Sequence, residues 1–274
     1  MITHRSEKEL AFLHDLFVST DWGERFSRLV DEHIVLPEKG RALYLASGTG
    51  GHAIALQERA GPTVEFLCID EQEEYLALAR AKASALKDPA EFRHSALDQL
   101  ALPNNHFDFV IGDGSLLAPH RLPRMLGEMV RVAKPGAAVA LSLPTASSFG
   151  EFFSIYWEVL HNCGLVDHAA AVENLITELP TVAEMEEMAE REGLEDVATW
   201  SRIEEFDYET GEQFLNSPLI SDFLLRHWLD FVPEGHSERI DKEIPRMVNE
   251  ERHETEFTLS VKATLLLGRK GRSN

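Results

Sequence analysis

The sequence predicts an α/β protein built on a parallel, doubly wound sheet, and three observations predict it. From about residue 42 to residue 143, short apolar runs alternate with helical stretches, the pattern of strand–helix–strand units. A glycine-rich turn follows the first run, and the second run ends on an acid, Asp70. The composition is that of a folded globular chain, with 44% of the 274 residues hydrophobic and 27% charged.

Two helices are expected before the first strand. Leu10, Leu13 and Phe17, then Phe26, Leu29 and Val30, recur at helical spacing, and Ser6 followed by Glu9 is a capping-box pattern. Ala42–Leu45 reads as a buried strand, and Ala46-Ser47-Gly48-Thr49-Gly50-Gly51 as a turn that opens a helix over residues 52–59. Val64–Asp70 is a second strand, followed by an Ala-rich helix over 73–86. Short strands are expected at 92–95 and 107–112. A helix over 125–133 stops at Lys134-Pro135-Gly136, and Ala137–Leu143 is the next strand. Beyond Pro144 the pattern turns helical, with a further strand near 197–203, a helical insertion over about 211–253, and a clear final strand at 257–267. With no repeat and no low-complexity linker, one domain is expected over 1–274. It has a helical cap at 1–40, a half carrying the glycine turn at 41–145, and a second half at 146–274.

Charge narrows the function classes. The 26 basic and 47 acidic residues give a net charge of −21, opposite in sign to what neutralises a phosphate backbone. Neither a nucleic acid nor an anionic membrane is an expected partner. The excess is uneven: residues 1–145 carry 15 basic and 20 acidic residues, whereas 146–274 carry 11 and 27. Cys68 and Cys163 each lie in an apolar pattern and form no CxxC pair, which fits a reducing compartment. The N-terminus lacks the apolar core of a signal peptide, and no apolar stretch approaches the roughly 20 residues of a spanning helix. A cytoplasmic protein is expected.

Gly48-Thr49-Gly50-Gly51-His52-Ala53 fits the pattern G-x-G-x-x-G/A, and Asp70 lies twenty residues beyond Gly50, where an acid meets a ribose. A turn without β-carbons lets backbone N–H groups and a helix N-terminus approach an anionic ligand. A pyrophosphate and an amino-acid carboxylate both meet that demand.

The rest of the 43–144 stretch separates them. It resembles the core of class I S-adenosylmethionine-dependent methyltransferases of the small-molecule, type 11-like kind. Leu43-Tyr44-Leu45-Ala46-Ser47-Gly48-Thr49-Gly50 is similar to that family's first motif and Asp70 to its ribose-binding acid. Ser95-Ala96 followed by Leu100-Ala101-Leu102-Pro103 resembles its adenine-side loop. Phe107–Ile111 resembles its fourth motif, and Glu128–Gly136 its passage into strand five. The resemblance implies a Rossmann-like, seven-stranded, mostly parallel sheet whose last strand returns antiparallel. It also implies S-adenosylmethionine as cofactor and S-adenosylhomocysteine as product. Carried over position by position, the cofactor-binding residues are Ala46, Ser47, Gly48, Thr49, Gly50, Asp70, Glu71, Ser95, Ala96, Leu97 and Asp113. Three positions depart from the family pattern: Tyr44 replaces an acid that helps hold the methionine ammonium, Ala46 a glycine, and Ser95 an aspartate that receives the adenine amino group.

Chemistry by that route needs a nucleophile placed in line with the methyl group and no covalent enzyme intermediate. Asp113, which with Gly114 also reads as a turn, and His120 are the candidate catalytic groups after the fourth strand. His52 reads as positional. The remaining histidines show no ligand spacing, and no metal is expected. Phe149, Phe152, Phe153, Tyr156 and Trp157 share a helix face, which reads either as core packing or as the roof of an apolar acceptor pocket. Phe149, Phe153, Tyr156, Trp157 and Trp228 are the candidate pocket residues. The apolar insertion around Trp228 also reads as a lid or a homodimer contact. The acidic run Glu184, Glu186, Glu187, Glu190, Glu192, Glu195 and Asp196 reads as a solvated face. The leading expectation is a methyltransferase acting at O, N or C of a small, partly apolar molecule. A non-catalytic binding or regulatory module of the same fold stands second. An NAD-dependent oxidoreductase, supported only by the glycine turn and Asp70, stands third.

Overall fold

Ala42–Leu45 can form a strand buried on both faces because none of its side chains needs water except one phenol. In the computed structural model, which describes residues 5–86, 89–233, 235–251 and 256–272, this run is the end of β1 (Gly40–Leu45). β1 pairs in parallel with β2 (Val64–Asp70) on one side and β4 (Phe107–Asp113) on the other. β3 (Glu91–His94) pairs in parallel with β2, and β5 (Ala133–Pro144) with β4. With β6 (Leu194–Tyr208) and β7 (Phe257–Lys270) the sheet has seven strands in the order β3-β2-β1-β4-β5-β7-β6.

The final strand, β7, runs against its two neighbours. Thr145 N–H donates to Lys262 O at one end of the β5–β7 contact, while Lys270 Nζ reaches Ala133 O at the other. Thr258 likewise bonds Asp207 while Ser201 bonds Thr264, so β6 and β7 are also antiparallel. The expected Rossmann-like architecture is therefore the observed one. β5 begins four residues before the expected start, because Lys134-Pro135-Gly136 lies inside an extended strand and does not break it. β6 is twice as long as expected: as the outermost strand it tolerates the exposed polar residues Glu195, Asp196 and Glu205, which mask it as a strand in sequence.

The chain packs as two compact units. The first contains Arg5–Leu143, Thr181–Ser201 and the segment from Ala263 onward. Its helices are α1 (Glu7–Leu13), α2 (Glu24–His33), α3 (Gly51–Ala60), α4 (Glu73–Ala83), α5 (Leu122–Val132) and α8 (Val182–Arg191). α1 carries the expected capping box, with Glu9 N–H donating to Ser6 Oγ and Ser6 N–H to Glu9. Between α1 and α2 the chain stays helical with wider π-type turns over His14–Gly23. Leu43, Leu45, Ile69, Val110 and Leu141 on one sheet face are buried against Met125, Leu126 and Met129 of α5 and Met185 and Ala189 of α8. Glu184, Glu187 and Glu190 of α8 face solvent, as the acidic run suggested.

The second unit lies within Pro144–Pro180 and Arg202–Lys262. It holds α6 (Gly150–Asn162), α7 (Ala169–Thr177), α9 (Gly211–Asn216), a π-helical turn at Leu219–Leu224, α10 (Leu225–Trp228) and α11 (Ser237–Glu251). The expected insertion runs to His253, which lies outside the described residues. Among the described residues, no helix is long and apolar enough to cross a membrane.

The second unit has an aromatic core. Phe152 stacks on Trp228 with ring centroids 4.6 Å apart and on Tyr156 at 5.3 Å, and Phe149 and Phe153 meet the Trp228 ring edge-on. Tyr156 Oη donates to Trp228 O at 3.1 Å, which satisfies the phenol inside the cluster. Trp228→Ala is therefore expected to destabilise the chain by about 3–5 kcal/mol through the cavity it leaves; urea unfolding measures it, and a loss below about 1 kcal/mol contradicts this packing role.

Candidate functional site

The turn after β1 is held open by backbone geometry that only small residues tolerate. Ala46, Gly48 and Gly50 all have positive φ, at 55°, 55° and 80°, and Gly50 is the left-handed residue that caps α3. A Cβ on Gly50 would lie 2.8 Å from Ala79 and 2.9 Å from Phe92, so α4 and β3 press against the loop there. Ser47 N–H donates to Ile69 O, and Gly50 N–H closes the turn onto Ser47 O.

Asp70, the last residue of β2, ties this loop to the next strand. Its Oδ2 accepts Gly48 N–H at 2.8 Å and its Oδ1 accepts Gln72 N–H at 2.9 Å. Burial pushes the Asp70 carboxyl up from the usual aspartate range, against the downward pull of backbone N–H donors at Gln72, Gly48 and Glu71. Ser95 N–H donates to Asp70 O at 3.1 Å, so the segment Ser95-Ala96-Leu97 lies beside the same strand end. Glu71 is engaged elsewhere. Arg121 grips it with two bonds of 2.8 and 2.6 Å, Leu97 N–H donates to it at 3.1 Å, and the guanidinium holds its carboxyl below the usual range. His120, beside Arg121 on the turn Pro119–Arg121, is exposed.

The N-terminal helical layer reaches the loop, a contact that motif reading missed. The His14 ring lies against Gly48, where an added Cβ would sit 2.9 Å from Cε1, and against the Tyr75 ring at a centroid distance of 4.5 Å. Ser19 Oγ bridges His14 Nδ1 and Thr49 Oγ1 at 3.1 and 3.3 Å. Thr49 donates to Asp15, which Lys82 also holds at 2.6 Å. The i, i+1, i+5 spacing of His14, Asp15 and Ser19 matches a π-type turn and no common motif, so the sequence carried no signal for it.

A second polar group sits at the ends of β1 and β4. Tyr44 Oη is 2.9 Å from His52 Nδ1, His52 Nε2 is 3.3 Å from Asp31, and Arg59 donates to Asp31 at 2.7 Å. Asp113 accepts Ser115 N–H at 2.9 Å, and Trp22 Nε1 donates to the Ser115 hydroxyl at 3.0 Å. Thus Ala46–Gly50, Asp70, Ser95–Leu97 and Asp113 all belong to the first unit, at the carboxyl ends of β1, β2, β3 and β4, where open parallel sheets bind ligands. Phe149, Phe153, Tyr156 and Trp228 belong to the second unit's core, and Trp157 beside them is half-buried. Among the described residues, no three His, Cys, Asp or Glu side chains are grouped to hold a metal.

Residue types and backbone fit the amino-acid and ribose ends of S-adenosylmethionine. Three backbone N–H groups reach the Asp70 carboxylate, whose two oxygens offer about four lone-pair sites, which leaves room for a ribose hydroxyl. Ser47 Oγ is buried without a hydrogen-bond partner, and a Cβ on Gly51 would meet nothing within 4 Å.

Comparison with known proteins agrees with this geometry. Residues 42–136 match the family model described as a methyltransferase domain. Over 143 residues the chain is 32% identical to a demethylmenaquinone methyltransferase of Bacillus licheniformis, an overlap covering 51% of this chain and 59% of that protein. The chain thus spans less than two thirds of that relative. The crystal structure of the YcgJ protein from Bacillus subtilis superposes with a TM-score of 0.61 at 15% identity, covering 91% of this chain and all of the other. A putative methyltransferase from Bacillus halodurans superposes at 0.55 with 16% identity, covering 90% and 99%. The fold is that of the class I methyltransferases. The family match is confined to residues 42–136.

His14 gives a test of the N-terminal layer. Burial lowers its pKa to about 4 from 6.5, so between those values the unfolded chain binds a proton that the folded chain refuses. The His14 contribution to stability is expected to fall as pH drops from about 6.5 toward 4 and to level off below, with a bound of about 3 kcal/mol. Urea unfolding near pH 7 and near pH 5 should show a smaller acid loss in His14→Gln than in the unmodified chain. Equal losses in the two proteins contradict the burial of His14 against the loop.

Proposed function

We propose that the chain is an S-adenosylmethionine-dependent methyltransferase acting on a small, partly apolar acceptor. The observation that carries the reading is Asp70: a buried carboxylate at the end of β2, fastened to the glycine loop at 2.8 Å, held by backbone N–H donors only and with acceptor capacity left over. When bound, the cofactor supplies an electrophilic methyl group on a positively charged sulfur. The chain's part is placement. Asp70 accepts from the ribose, Ala46–Gly50 give the backbone close approach, and Ser95–Leu97, pinned through Asp70 O and Glu71, line the adenine side.

The relative named for demethylmenaquinone methylation supports an acceptor with apolar character. The net charge of −21 supports a neutral or cationic molecule over a polyanion, and with it a cytoplasmic enzyme without a nucleic-acid partner.

Titration calorimetry with S-adenosylmethionine and S-adenosylhomocysteine tests the reading. Both are expected to bind, and Asp70→Asn is expected to weaken each by about 1.5–3 kcal/mol, roughly 10- to 150-fold, as for a lost charge-assisted hydrogen bond. No heat with either ligand at millimolar concentration overturns the proposal.

A further inference from the structure

The acid that class I enzymes carry in their first strand is absent here, and Tyr44 stands in its place. The structure supplies another carboxylate one strand over. β1 and β4 run parallel with Tyr44 opposite Ile111 and Leu45 opposite Gly112. Side chains alternate along a strand, so Asp113, two residues beyond Ile111, projects from the same sheet face as Tyr44. The two groups feel each other: burial raises the Tyr44 phenol, and the Asp113 charge adds to that rise.

Asp113 lacks a cation. Its hydrogen bonds come from the backbone and hydroxyl of Ser115, and among the described residues no lysine or arginine forms an ion pair with it. Burial accordingly pushes its carboxyl above the aspartate range. Asp113 is half-buried, and a partly desolvated carboxylate with only neutral donors is stabilised by a cation that reaches it.

Tyr44 is orientated toward the same task. A carboxylate only accepts, so the 3.3 Å contact with Asp31 places the His52 proton on Nε2, and this hydrogen bond, with Arg59 beside it, holds the Asp31 carboxyl below its usual range. Nδ1 is then an acceptor, and the Tyr44 O–H donates to it at 2.9 Å. The phenol oxygen keeps its lone pairs for another donor.

We propose that Asp113 performs from β4 the role of the acid missing from β1. It receives the ammonium group at the amino-acid end of the cofactor, with the Tyr44 oxygen, set by His52 and Asp31, as second acceptor. The inference rests on the cofactor reading above and concerns one end of that ligand.

Two nucleosides separate the ends. S-adenosylhomocysteine carries the ammonium, and 5′-methylthioadenosine has the same nucleoside and sulfur without the amino-acid portion. Calorimetric titration of the unmodified chain, Asp113→Asn and Tyr44→Phe with both, near neutral pH, is the experiment. Asp113→Asn is expected to weaken S-adenosylhomocysteine about tenfold or more and to leave methylthioadenosine within about twofold. Tyr44→Phe is expected to shift the same ligand about threefold to tenfold, again sparing methylthioadenosine. Tyr44→Phe removes one oxygen from a buried ring, so it carries the test if Asp113→Asn does not fold. Equal losses for both nucleosides, or undiminished S-adenosylhomocysteine affinity, overturn the inference. So does an unmodified chain that binds S-adenosylhomocysteine no more tightly than methylthioadenosine. An unmodified chain that binds neither overturns the cofactor reading, and this inference with it.

Discussion

The bond from Gly48 N–H to the Asp70 carboxylate, 2.8 Å long, is the constraint on which the glycine loop depends. Ala46, Gly48 and Gly50 all hold positive φ, and a turn with three such residues has few intrinsic reasons to keep one shape. Asp70 supplies one. Its carboxylate takes an N–H from the loop and another from Gln72, so the ends of β1 and β2 are fixed together by charge-assisted bonds in a buried place. The same residue's carbonyl accepts Ser95 N–H, which sets the chain beyond β3 against the first two strands. One side chain and its backbone therefore register three strand ends, and every candidate ligand contact of the first unit is measured from them.

Two outer contacts buttress that arrangement from different sides. Arg121 and Leu97 N–H occupy the Glu71 oxygens, so Glu71 is placed to position the 95–98 segment. On the other side, the Asp15–Thr49–Ser19–His14 chain fastens the N-terminal π-helical layer to the loop. The wider turns over His14–Gly23 bring His14, Asp15 and Ser19 toward the loop together, whereas a regular α-helix spreads positions i and i+5 about 140° apart.

The parallel strands were legible because burial on both faces leaves continuous apolar runs, and Val64–Asp70 was read with the boundaries it has. The strand around Val197–Ile203 was read short because an edge strand exposes half its residues to water and reads as a polar loop. Lys134-Pro135-Gly136 was read as a stop, whereas Pro fits the irregular start of β5, where the register with β4 shifts. Within the site, Gly48, Gly50 and Asp70 were legible because local backbone geometry demands those types at that spacing. Asp31, Tyr44 and His52 were not legible as a group, since a helix, a strand and a second helix bring them together and nothing in their spacing records it. The Phe149–Trp157 face was legible as a shared helix face, and the five-ring packing around Trp228 followed only from the fold of the second unit.

Asp70 and Asp113 end neighbouring parts of the same sheet, and the difference between their surroundings is instructive. Both are raised by burial, yet Asp70 accepts backbone N–H groups from three residues whereas Asp113 has Ser115 alone. Rigid backbone donors compensate a buried negative charge and leave its remaining lone pairs suited to neutral hydroxyls. A carboxylate with a single neutral partner retains most of its desolvation cost, so it gains most from a positive group. The pattern of donors, more than the count of acids, thus sorts the two aspartates into one suited to a sugar and one suited to an ammonium. In a chain with net charge −21, most carboxylates are solvated and uninformative; these two speak because burial has taken much of their water.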